Sequence, residues 1–92
     1  MKKFEVMNAI RNAAQIKGEE SYNPENLENL LDDYVEAENE ADAIAIAIDW
    51  LVEHVTQNSD YRPEATKENI MIYDGEELVE EYYNFIAKEI KE

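Results

Sequence analysis

Carboxylates supply most of the potential chemistry of this sequence. Eight of them, Glu25, Glu28, Asp32, Asp33, Glu36, Asp42, Asp49 and Glu53, lie within residues 18–61, a span holding 13 acidic side chains and neither lysine nor arginine. Carboxylates exchange protons, ligate hard cations or project a negative field, and their neighbours decide which. Adjacent acids such as Asp32-Asp33 and Glu80-Glu81 leave a helix in different directions, so neither pair is placed to share a proton or a metal.

Catalysis lacks the other parts it needs. His54 is the single histidine, and it falls on the boundary between the polar and apolar faces of its helix. With no cysteine in the chain, thiolate metal sites and disulfides are excluded, and packing must hold the fold together. Two glycines, Gly18 and Gly75, are too few for a glycine-rich phosphate loop. Asn58-Ser59-Asp60 opens like a calcium loop, but Arg62 stands where an oxygen ligand is required and no glycine follows. The sequence therefore predicts a protein that is not an enzyme, with no catalytic, cofactor-binding or metal-ligating residues.

Helical periodicity positions the acids. Val6, Met7, Ile10, Ala13 and Ala14 recur at three-and-four spacing, predicting a first helix from Phe4 to Lys17 that stops at Gly18. Asn23 as cap and Pro24 at the first helical position predict a second helix to about Glu38, with Leu27, Leu30, Leu31 and Tyr34 on one side and acids on the other. The third helix, Glu40 to Gln57 behind Asn39, is the apolar centre. Its Ile-Ala alternation over residues 43–48 also suits a strand, but alanine is the best helix former, and Ala41, Ile44, Ala45, Ile48, Leu51, Val52 and Val55 sustain helical spacing. At about 100° per residue, Asp42, Asp49 and Glu53 then share one band, with Trp50 and Ile46 beside it.

Residues 58–69 have the composition of a long loop, and Ile70 to Tyr73 reads as a short extended segment. Asp74-Gly75 suits a hairpin turn with a return strand over 76–81. The favoured alternative makes Asp74 the cap of a last helix, with Leu78, Val79, Tyr82, Tyr83, Ile86 and Ile90 as its apolar face. The expected fold is mainly α: one domain over residues 1–92, a compact bundle of about four helices with one short extended segment or small hairpin near residues 70–79. A chain of 92 residues, 45% hydrophobic, is long enough for one modest core. Glu5, Asn8 and Arg11 interrupt any signal-like apolar run, so a soluble, cytoplasmic protein is expected.

The formal charge is −15 and is uneven: residues 1–17 carry four bases and one acid, whereas residues 18–61 carry no base at all. A phosphate backbone or an anionic membrane would repel such a surface, and a basic groove would attract it. Glu25, Glu28, Asp32 and Glu36 would make one row of carboxylates and Asp42, Asp49 and Glu53 a second, at helical spacings of about 5–6 Å between Cβ atoms. Trp50 is either an apolar anchor next to the second row or a cover for the edge of the core.

In size, charge and these carboxylate rows the chain resembles the small, acidic, mostly helical anti-CRISPR and anti-restriction DNA-mimic proteins that phages and mobile elements encode. The resemblance implies a non-enzymatic inhibitor that occupies the nucleic-acid site of a basic partner, a CRISPR-Cas effector first and a restriction nuclease second. The partner-binding residues expected are Glu25, Glu28, Asp32, Asp33, Glu36, Asp42, Asp49, Trp50 and Glu53. The rival expectation is an interaction adaptor or antitoxin-like module with an apolar groove between the last helix and Ile70 to Tyr73, binding a partner or a second copy.

Overall fold

Alternation of side chains, rather than helical periodicity, governs the N-terminal segment. In the computed structural model, which describes residues 1–21, 27–29, 34–66 and 68–91, Lys2–Asn12 forms a strand, β1, with Phe4, Val6 and Asn8 buried on one side. A single turn of helix follows, α1 (Ala13–Ile16), closed by a capping box between Asn12 and Gln15. Two short strands come next, β2 (Glu28–Asn29) and β3 (Val35–Ala37). Then come the long helix α2 (Glu40–Asn58) and the strands β4 (Arg62–Ala65), β5 (Ile70–Asp74) and β6 (Glu77–Glu89). The strands build one antiparallel sheet in the order β2-β1-β6-β5-β4, and β3 pairs with β1 as well.

The expected four-helix bundle is thus overturned: the described residues are dominated by a sheet, with one long helix laid across it. The predicted first helix is β1 followed by the single turn of α1. Of the predicted second helix, residues 22–26 and 30–33 lie outside the described residues, and its remaining parts pair with β1 as β2 and β3. The predicted last helix is β6, joined to β5 by a hairpin as in the alternative reading, but with Gly75-Glu76 rather than Asp74-Gly75 as its turn and a return strand running to Glu89 rather than to Glu81. Only α2 follows its sequence signals in extent, though not fully in face: Ala41 and Ala45, expected on the apolar side, are exposed, whereas Ala43 and Ala47 are buried. It begins behind Asn39, whose side chain accepts from the Asp42 backbone N–H at 2.9 Å.

Bulges explain why β6 looks helical in sequence. Its pairing with β5 slips one residue near Ile72/Tyr73, and its pairing with β1 slips again between Met7 and Ala9, where Asn84 takes φ 56°. Each bulge sets two residues against one and resets the alternation. Val79, Tyr82 and Phe85, three apart in sequence, therefore all reach the core beneath α2. Three-residue spacing produced by two bulges mimics one helical face.

That core has two connected parts. Phe4, Val6, Val35 and Ala37 meet Ala43 and Ala47, both fully buried, so that small side chains let α2 approach the sheet closely. Ile48 and Leu51 meet Ile70 and Ile72 further along, with Ile44 and Phe85 touching both groups. On the other side of the sheet, the buried carboxylate of Glu81 is held by the Arg11 guanidinium and accepts from Asn69 Nδ2 at 2.9 Å. β4 forms an edge, where Pro63 opposite Ile72 costs no ladder donor on its solvent side. No described helix is long and apolar enough to cross a membrane.

Two measurements test this architecture. Gly75 has φ 65° in the turn closing the β5–β6 hairpin, with open space where a Cβ would stand, so Gly75→Ala costs backbone energy alone. It should lower stability in urea unfolding by about 1 kcal/mol, and Gly75→Asn by less. Arg11→Met should lose about 3 kcal/mol by stranding the Glu81 charge, and adding Glu81→Met should restore most of it.

Candidate functional site

The candidate surface is the outer side of α2. Ala43, Ala47, Ile48 and Leu51 face the sheet, which leaves Asp42, Asp49 and Glu53 exposed along the crest of the helix. Asp49 and Glu53 stand one turn apart, and Asp42 lies two turns before Asp49, about 10 Å along the axis. The ion pairs Lys2–Glu89, Lys17–Glu77 and Arg11–Glu81 run between other elements, Arg62–Glu64 lies within β4, and none of the four includes a crest acid. Among the described residues the crest is consequently a row of carboxylates without an ion pair, and Gln57 Nε2 donates to Glu53 at 3.1 Å.

Trp50 borders this row on the flank facing β2. It is 41% exposed and stacks on His54, with ring centroids 4.9 Å apart and planes 11° from parallel. The spacing of four puts both rings on one helical face, so the stack fixes the indole without burying it. Trp50 and His54, with Leu51 between them, form one wall of a cleft of about 260 Å³ whose other walls are Glu28 and Asn29 of β2, Asn8 and Ile10 of β1, and Tyr82 of β6. Burial holds the Tyr82 phenol well above its ordinary range, and Glu80 and Glu28 add to the effect. Asn8 is fully buried; its Nδ2 donates to the Ala9 carbonyl at 3.2 Å, and its Oδ1 has no partner among the described residues.

The expected site residues part company here. Asp42, Asp49, Trp50 and Glu53 share α2, and Glu28 joins Trp50 across the cleft. Glu36 does not join them: Val35 and Ala37 turn towards α2, so Glu36, opposite Lys3, points to the other side of the sheet. Glu25, Asp32 and Asp33 lie outside the described residues. Among the described residues, one acidic row and a flanking Glu28 stand where two helical rows were expected. The apolar groove expected between a last helix and Ile70 to Tyr73 does not exist, because β5 and β6 are hydrogen-bonded neighbours. Sequence reasoning missed His54 as the partner of Trp50, although the i, i+4 spacing signals it. It also missed Asn8 and Tyr82, which reach the cleft only through strand pairing.

Among known proteins, the chain matches no family model, no curated protein and no solved structure.

The exposure of Trp50 makes a measurable distinction. Trp50→Ala should cost less than about 1 kcal/mol of stability, whereas Leu51→Ala, next to it but buried, should cost about 3 kcal/mol. Chemical unfolding of the two variants, with acrylamide quenching of the native indole, checks both statements.

Proposed function

We propose that this chain is a cytoplasmic, non-enzymatic inhibitor that sets the acidic crest of α2 into the basic nucleic-acid site of a partner protein and competes there with DNA or RNA. The observation that carries this reading is the crest itself: Asp42, Asp49 and Glu53 exposed in one row, free of ion pairs among the described residues, on a span of chain without a single base. A surface that merely aids solubility mixes both signs of charge. Here the four ion pairs just described keep their bases elsewhere, and the helix is left uniformly negative.

Charge of this kind speeds encounter and selects basic partners, but it needs apolar contact to hold them. Trp50 and Ile46, 41% and 46% exposed beside the crest, supply that contact. Glu28 across the cleft extends the negative field towards β2. The likeness to DNA-mimic inhibitors directs the first tests to CRISPR effectors and restriction nucleases.

DNA binding by a panel of such effectors, measured with and without the protein at low and moderate salt, tests the reading. Release of DNA that weakens as salt rises is the expected result, because each ion pair formed with the crest is screened. Combining Asp42→Lys, Asp49→Lys and Glu53→Lys should abolish release while circular dichroism stays native. Release that persists in the folded triple variant would overturn the role of the crest.

A further inference from the structure

Strand β6 is longer than its neighbour on one side. From Met7 to Phe4, β1 pairs with Ile86 to Glu89, but β5 reaches only to Ile70, opposite Tyr82. Before Ile70 the chain turns away through a loop in which the Thr66 N–H donates to the Asn69 carbonyl at 2.8 Å. Among the described residues, no strand pairs with the outer edge of β6 beyond Tyr82.

The direction of the free groups follows from the ladder. The Ile90 N–H donates to the Lys3 carbonyl at 2.8 Å, and antiparallel pairs alternate between bonded and non-bonded. Lys88 and Ile86 therefore direct their backbone groups to β1, while Ala87 and Glu89 direct theirs outward. Proteins blunt such edges with proline, bulges, short strands or charged side chains, as Pro63 does on β4; Lys88, opposite Glu5, is placed on the side of the sheet away from α2. From Phe85 to Glu89 there is no proline, and the nearest bulge, at Asn84, stands at the end of the stretch.

A groove runs beside this edge. One cleft of about 580 Å³ is bordered by Phe85, Ile44 and Glu68, and a second of about 670 Å³ shares Ile44 and continues along Ala41, Ala45 and Ile48 to Asp49. Side chains of an added strand would alternate between this apolar flank of α2 and the opposite side of the sheet. Charge decides the occupant. A second copy would bring another −15 against this edge, whereas a segment with Lys or Arg would meet Asp49 and Glu68.

We infer that the outer edge of β6 from Phe85 to Glu89, with the groove at Ile44, docks an extended Lys/Arg-bearing segment of a partner protein as an additional strand. This inference stands on strand geometry and holds whether or not the crest of α2 competes with nucleic acid.

Amide hydrogen exchange on the full chain, followed by NMR, tests it. In the dilute protein, Ala87 and Glu89 should exchange freely while Ile86 and Lys88 are protected. A synthetic peptide alternating lysine and valine should slow Ala87 and Glu89 at least tenfold, and a glutamate-valine counterpart should not. Ala87→Pro removes an outward N–H and leaves the β1 bonds in place, so it should weaken peptide binding at least tenfold. Should that variant fail to fold, Ala45→Arg, a helix-compatible change on the groove wall, should weaken binding comparably. Protection of Ala87 and Glu89 without peptide would overturn the inference, whether constant, meaning the chain covers its own edge, or rising with concentration, meaning a second copy does. Peptide binding indifferent to the folded variants would also overturn it.

Discussion

The pairing of β1 with β6 is the constraint on which the other elements depend. It sets Phe4 opposite Glu89 at one end and Asn12 opposite Glu80 at the other, joining the two extremities of the chain through the middle of the sheet. Everything between must be arranged around that ladder. β3 and β2 add to the free side of β1, the β4–β5 hairpin adds to β6, and α2 crosses from one margin to the other over the apolar side. The pairing is remote in sequence, so its loop-closure cost must be met by burial of Phe4, Val6, Phe85 and Ala87 against the helix.

Charge is sorted by the same arrangement. Glu81 enters the sheet because Arg11 and Asn69 satisfy both of its oxygens, and it is the one acid among the buried described residues. Among the described residues, Lys2 and Lys3 lie in β1, Lys17 just after α1, Lys88 in β6 and Lys91 beyond it, and Arg62 of β4 stacks on Tyr73 at 4.8 Å. Helix α2 carries none. A sheet with local compensation beside a helix with none gives the molecule two electrostatically different sides, and the energetic cost of self-repulsion falls on the helix crest.

Both interaction surfaces derive from how α2 lies on the sheet. Its crest is acidic because Ala43, Ala47, Ile48 and Leu51 take the inward positions. Its two flanks differ: one carries the Trp50–His54 stack above Asn8, Tyr82 and Glu28, and the other carries Ala41, Ala45 and Ile48 beside the unpaired stretch of β6. The proposed extended basic partner would lie on the second flank, and the proposed basic groove on the crest. The two modes draw on different physics, main-chain hydrogen bonding in one and screened Coulomb attraction in the other.

Local chemistry was enough to read α2 with its Asn39 cap, the extended run at Ile70, the turn potential of Asp74-Gly75 and the acidic row at Asp42, Asp49 and Glu53. These features depend on neighbours within a few residues, which the chain displays directly. The conformation of β1 and β6 was not legible. Val6, Met7 and Ile10 satisfy helical spacing as well as alternation, and the bulges of β6 bring Val79, Tyr82 and Phe85 to one side at intervals of three. Pairing between residues far apart in sequence settled both segments as strands. It turned Glu36 away from the acid row, brought Glu28 up to Trp50, and left part of β6 without a neighbour, because a strand's partners and faces are set by the sheet it joins.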